Sequence, residues 1–322
     1  MRRVSPFVLL IAGAVLPLDI ALAQAYPAKP IRVIVPAQAG ATCDTLTRLI
    51  GQKVGERLGQ SLIVDNRVGA SGMLGLEITA RAVPDGYTIA CGQGGNMVVV
   101  PHTYKKVPYD ALKDFAPIAL IATNYLALAS HPSAPFKGVK DLVAYAKANP
   151  GKLTFASSGE GAFSHMVIEQ LRAAGGFTYL HVPYKGVGQA TTELMAGQVD
   201  VMFSSFTALV PHVRAGRLRM LAIARLTRAP NYPEYATIAE TYPGFSAGGW
   251  FGFVGPAALP KDVVVVLNRE FNRAMGLPDV REKMIALGLD IPRESPEFFG
   301  ELIKSDYVKY GQIIRSIGLQ MQ

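Results

Sequence analysis

Two short stretches carry the residue types from which a binding chemistry could be built. The first, residues 36–44 (PAQAGATCD), is almost without side chains over Ala37–Ala41 and ends in Thr42, Cys43 and Asp44. A loop that small lets a ligand approach the backbone, and the start of the helix behind it offers unpaired N–H groups and partial positive charge. The chemistry this suggests is the cradling of an anion; the alternative is a tight strand-to-helix connection that holds nothing. The second stretch, 157–161 (SSGEG), has the same build and adds hydroxyls from Ser157, Ser158 and Ser164. Neither loop contains Lys or Arg, so helix termini and neutral donors must hold the anion. A covalent alternative pairs Cys43, beside a helix N-terminus that lowers a thiol pKa, with His165 as the base of a hydrolase or transferase. Nothing in the sequence orients such a histidine. Two isolated cysteines and scattered histidines lack metal-ligand spacing, so neither a metal nor a cofactor is expected.

The elements that must position these loops follow from apolar periodicity. Ile31, Val33, Ile34 and Val35 read as a strand covered on both faces, ended by Pro36. Leu46, Leu49, Ile50, Val54 and Leu58 recur at helical spacing, with Thr42 or Asp44 placed to cap the first turn. Strands are expected at Ser61–Asp65 and Tyr87–Cys91, the latter followed by a small polar loop, Gly92–Asn96. A long β-rich run, Phe115–His131, marks where one domain could pass into the next. A second series then begins: helix Asp141–Ala148, strand Lys152–Ala156, the Ser-Gly loop, helix Ala162–Ala173, then strands at Tyr179–Tyr184, Val199–Ser204 and Arg219–Ala224. Gly249–Val254 reads as a strand returning to the first domain, and the last seventy or so residues are mainly helical. Strand and helix in alternation imply a doubly wound α/β architecture, in which ligands collect at the carboxyl ends of strands. Two crossings between domains imply a hinge.

The first 25 residues have the pattern of an export leader: Arg2 and Arg3, an apolar run from Phe7 to Leu18, and small residues around Ala21–Ala25. The apolar run is broken by Pro17 and Asp19 and is too short to cross a bilayer. The expected product is a soluble, exported protein. Its net charge of +8 falls by one with the leader and is spread over helices and turns, which argues against nucleic acid as a partner. An exported compartment permits a disulfide between Cys43 and Cys91, but sequence does not give their distance, and the pairing stays open at this point.

The chain resembles the solute-binding proteins of tripartite tricarboxylate transporters, the Bug-type family of type II periplasmic binding proteins. The pieces that carry the likeness are YPAKPIRVIVP (Tyr26–Pro36), Asp44, DNRVGASGMLG (Asp65–Gly75), PDGYTI (Pro84–Ile89), YDALKDFAPIALIA (Tyr109–Ala122), ANPGKLTFASSGEG (Ala148–Gly161), HVPYKG (His181–Gly186), LMAGQVDVMF (Leu194–Phe203), GRLRMLAIA (Gly216–Ala224) and WFGFVGPAALPKDVV (Trp250–Val264). They occur in family order and span nearly the whole mature chain. The resemblance implies two doubly wound α/β domains, residues 26–124 with 248–322 and residues 125–247, joined by two hinge crossings and closing on a small organic carboxylate without chemistry. Its implied partners are the membrane subunits of a tripartite transporter, with the receptor itself a monomer. It further implies that backbone groups and ordered water hold the carboxylate. The matching positions are Ala39, Gly40, Ala41, Thr42 and Asp44 on one side and Ser158, Gly159, Gly161, Ser164 and His165 on the other. Tyr184 and Asp200 match further motifs at the cleft.

Where the family has an aromatic and prolines before a Gly-Gly pair, this chain has Ala37-Gln38-Ala39 and Gly40-Ala41. The change widens the pocket or removes a stacking wall, and Gln38 adds an amide. Several side chains also have plainer readings: Asp44 as a first-turn helix charge, His165 as a packing histidine, Tyr184 as cover for the core, Asp200 as a loop support, Trp250 as packing at the domain crossing. A ligand-loaded sensor that signals to a membrane protein needs the same cleft, and sequence does not separate it from transport.

Overall fold

The computed structural model describes residues 26–160, 162–230, 232–316 and 318; the expected leader, 1–25, lies outside them. Two five-stranded sheets organise the chain. The first is built from β1 (Ile31–Val35), β2 (Leu62–Asn66), β3 (Thr88–Gln93), β4 (Phe115–Thr123) and β10 (Trp250–Pro256) in the order β2-β1-β3-β10-β4. The second contains β5 (Leu126–Ser130), β6 (Thr154–Ser157), β7 (Leu180–Pro183), β8 (Val201–Ser205) and β9 (Arg219–Ile223) in the order β7-β6-β8-β5-β9. Matching β6, β7, β8, β9 and β5 to β1, β2, β3, β4 and β10 makes the two orders the same. The molecule is therefore two copies of one topology, and it has the two-domain type II periplasmic binding fold.

Each sheet has one strand against the parallel grain: β10 is antiparallel to β3 and β4, and β5 to β8 and β9. The crossings explain this. Parallel strands end at the edge from which the chain leaves for the other domain, so the strand that arrives starts at that edge and must run the opposite way. The expected doubly wound sheets are thus mixed, each completed by a strand fed in from its neighbour.

Helices cover both faces. In the first domain α1 (Thr42–Leu58), α8 (Lys261–Met275) and α9 (Pro278–Ala286) share one apolar layer, in which Leu46, Ile50, Phe253 and Phe271 are inaccessible to solvent. On the other face α2 (Met73–Ala80) and α10 (Pro296–Ser316) enclose Ile34, Leu76, Val254 and Phe299. In the second domain α4 (Val139–Ala148) and α5 (Phe163–Gly175) lie on one face, and α6 (Val187–Met195) and α7 (Phe206–Arg214) on the other. The expected loop at Gly92–Asn96 is different: β3 continues to Gln93, and Gly95–Val99 forms a π-helical turn that runs into α3 (Val100–Thr103).

The crossings lie side by side. Asn124 N–H donates to Gly249 O (2.9 Å), Gly249 N–H donates to Asn124 Oδ1 (2.8 Å), and Leu126 N–H donates to Ala247 O (3.2 Å). A Cβ on Gly248 would come 2.1 Å from the Asn124 carbonyl oxygen, so only glycine allows this approach. Trp250 packs where the second crossing enters the first sheet, 2% exposed, with its indole N–H on Asp306 (3.0 Å). Arg225 pairs with Asp290 between the domains, and the ring of Tyr310 on α10 meets Phe163 at the start of α5 (5.3 Å).

Cys43, on α1, and Cys91, on β3, are bonded, with Cα atoms 6.2 Å apart. The pairing that sequence left open is made. Both sulfurs are engaged, so the free thiolate that a Cys-dependent hydrolase or transferase needs is not there.

Candidate functional site

Because β1 and β6 are equivalent, so are the helices that follow them. The helix after β1 is preceded by Ala41 (φ −66°, ψ 160°) and the helix after β6 by Ala162 (φ −66°, ψ 159°), neither with a side-chain cap. Thr42 and Asp44, the expected caps, are already inside the helix. Ala is among the poorer residues at this position because it satisfies none of the first-turn donors. Among the described residues, the N–H groups of Thr42 and Cys43 on α1, and of Phe163 and Ser164 on α5, find no acceptor. Each domain therefore presents bare amide donors and the positive end of a helix dipole at the carboxyl edge of its sheet.

Asp44 shapes the first loop rather than facing outward. It is 3% exposed and accepts from Gly40 N–H (2.9 Å), from Asn66 Nδ2 (3.0 Å) and from Arg48 Nε at both oxygens (3.0 Å each). Asn66 also donates to Ala37 O (3.0 Å), so the end of β2 ties both ends of the loop together. Burial pushes the Asp44 carboxyl up, but the Arg48 guanidinium and the Gly40 and Asn66 N–H groups outweigh it and hold the pKa below the usual carboxylate value. Thr42 is exposed on the first turn of α1, and Ala39 and Gly40 form the turn before it.

The second loop is held by hydroxyls. Ser158 N–H donates to Ser164 Oγ (3.1 Å), whose hydroxyl also lies 3.1 Å from Ser158 Oγ. Ser157 Oγ donates to Gly159 O (2.9 Å) and accepts from Gly159 N–H (3.2 Å). Gly159 has φ +143°, which a side chain would strain, and a Cβ there would lie 3.6 Å from the Tyr184 carbonyl oxygen. Tyr184 belongs to this loop through its backbone: its N–H donates to Ser157 O (3.0 Å). His165 is buried on the first turn of α5, its ring stacked on His181 at 3.8 Å. Gly161 lies outside the described residues.

Asp200 is not brought to this edge. Its carboxylate accepts from Thr154 N–H (2.8 Å) and Thr154 Oγ1 (2.7 Å), at the residue where β6 begins. β6 and β8 are parallel, so a residue just ahead of β8 lies at the end from which both strands start, a strand's length from Ser158. It stitches the sheet. Asn66 and His181 were missed as site supports, and Ser157 was named only for its hydroxyl. They sit in quoted motifs, but only the pairing of neighbouring strands shows what they touch.

His181 has its pKa lowered to about 4, first by burial and then by the adjoining His165, against the opposing pull of Glu160 and Glu169. An unfolded histidine titrates near 6.5. Between these values the unfolded chain binds more protons than the folded one, so stability falls as pH drops from about 6.5 towards 4 and His181 adds no further loss below that. Urea titrations over this range should show the slope, and His181→Gln should reduce it, leaving the share of His102 and His165, which burial also lowers. An unchanged slope would place the protonation elsewhere.

A sequence profile described as "Tripartite tricarboxylate transporter family receptor" matches residues 46–319. A protein of the tcbD–tcbE intergenic region of Pseudomonas sp. (strain P51) is 38% identical over 293 residues, 90% of this chain and 87% of the relative. Among solved structures, R. palustris Rpa4515 with adipate is similar with a TM-score of 0.72 at 29% identity, covering 92% of this chain and all of that one. MatC (Rpa3494) from Rhodopseudomonas palustris with bound malate is similar with a TM-score of 0.68 at 30% identity, covering 90% of this chain and all of that one. The chain belongs to the tripartite tricarboxylate transporter receptor family.

Proposed function

We propose that this receptor is a periplasmic monomer, exported through residues 1–25, that closes on a small organic carboxylate and delivers it to tripartite membrane subunits without chemical turnover. The observation that carries this reading is the pair of bare helix N-termini, one per domain, on equivalent strands. Neither loop supplies a cation, and a carboxylate suits neutral amide donors at a helix dipole. In this reading residues 26–124 with 248–322 move as one body and 125–247 as the other. Ala39, Gly40, Ala41 and Thr42 meet the ligand from the first, and Ser158, Gly159, Gly161 and Ser164, backed by Tyr184, from the second. Asp44 and His165 act through the shape of their loops. Closure is favoured because only the closed form offers both sets of donors at once. The adipate and malate of the structural relatives make dicarboxylates the first acids to try.

The mature chain, unfolded and refolded to remove carried-over ligand, should melt higher with an aliphatic dicarboxylate such as adipate or malate and not with the corresponding diamide. At a thousandfold excess over the dissociation constant the gain is about 4 kcal/mol, or roughly 8–16 °C for a domain of this size. Equal shifts with acid and diamide would sink the carboxylate reading. Asp44→Ala and Gly159→Val should each weaken binding at least tenfold while the circular dichroism spectrum is kept. Unchanged affinity in both would put the site elsewhere.

A further inference from the structure

We propose that His181 is the positioning residue of the second anion loop: its Nε2–H, donated to Ser157 Oγ, fixes the one hydroxyl that grips both the N–H and the carbonyl of Gly159. The inference rests on the receptor reading for its consequence in binding, but its geometry stands apart from it.

A serine hydroxyl has one proton and two lone pairs. Ser157 Oγ gives its proton to Gly159 O at 2.9 Å and uses one lone pair for Gly159 N–H at 3.2 Å. The remaining lone pair faces His181 Nε2 at 2.7 Å, so the imidazole must present an N–H there. The tautomer is thereby assigned by the network. With that donor in place the hydroxyl cannot rotate without losing a bond, and it holds Gly159 at φ +143° together with the Ala162 N–H that donates to Gly159 O (3.2 Å).

His181 reaches this hydroxyl because β7 is the edge strand beside β6. The register pairs His181 with Phe155, two residues before Ser157 and therefore on the same face of the sheet. The same ring lies 3.8 Å from the ring of His165 with 22° between their planes. His165 follows Ser164, whose hydroxyl accepts from Ser158 N–H. One imidazole thus braces the floor of the loop through Ser157 and the first turn of α5 through His165. Leucine at 181 would fill space without a donor. Glutamine carries an Nε2–H on a side chain of similar reach.

Two readouts test this. Without ligand, nitrogen-15 spectra should show the Nε2–H tautomer of His181. Hydrogen exchange of the Gly159 amide should quicken at least tenfold in His181→Leu and stay within about threefold of wild type in His181→Gln. With adipate and malate as probes, His181→Leu should lose at least tenfold in affinity and His181→Gln should restore it. Ser157→Ala combined with His181→Leu should be no worse than Ser157→Ala alone, because both variants remove the same brace. An Nδ1–H tautomer, wild-type Gly159 exchange in His181→Leu, or glutamine as damaging as leucine would overturn the proposal. If the wild-type protein binds neither acid, the receptor reading fails while the tautomer and the exchange rates still decide the role of His181.

Discussion

Breaking the Cys43–Cys91 disulfide, with a reductant or as the Cys43→Ala/Cys91→Ala double variant, is expected to lower the melting temperature by roughly 8–16 °C. The bond joins residues 48 apart in sequence. Freeing a loop of that length restores conformational entropy to the unfolded chain equivalent to about 4 kcal/mol. Both cysteines are essentially inaccessible, and the bond ties the second residue of α1 to the strand beside it. Stability and site order should therefore fall together. The double variant should also bind adipate or malate more weakly than the oxidised protein at a temperature where both are folded. A change of less than about 3 °C in scanning calorimetry would mean that this loop does not restrict the unfolded chain.

Gly248→Ala should be strongly destabilising. Its Cβ would lie 2.1 Å from the Asn124 carbonyl oxygen and 3.2 Å from the Tyr125 Cα, all backbone, so no side-chain rotation relieves the overlap. The crossings must move apart, which strains the bonds between Asn124 and Gly249 and between Leu126 and Ala247. The cost is about 3 kcal/mol, the upper end for overpacking, because backbone has to yield. These segments also carry any rigid-body closure, so ligand affinity should drop more than the lost stability alone predicts. Gly138→Ala is the control: its φ is −161° and nothing lies within reach of the added carbon. Gly138 caps the start of α4, where Ala is poorer than Gly, so the effect should stay within about 1 kcal/mol. Equal melting temperatures for the two variants would mean that the crossings do not pack as described.

The apolar strand Ile31–Val35, the small loop after it, the repeat of that design at 157–161 and the two crossings were all legible in the chain. So was the family, because its motifs recur in order along nearly the whole mature sequence. These are local properties: burial on both faces of a strand, helical spacing, and the absence of side chains in a loop leave their mark within ten or twenty consecutive residues.

The partners within the site were settled only by the fold. Asp44 meets Asn66 across 22 residues, Ser157 meets His181 across 24, and Cys43 meets Cys91 across 48. No periodicity records such distances, since each depends on which strands lie next to each other. The direction of a strand decided Asp200 as well: in a parallel sheet the residue before a strand lies at the edge opposite the loop that follows its neighbour, here Ser157–Gly159, whatever motif it sits in. Sequence by itself determined the elements and the family, which local chemistry fixes; the tertiary structure decided that Asp44 is a brace, that Asp200 is a stitch, and that His181 stands under the second loop, because strand order alone sets those long-range contacts.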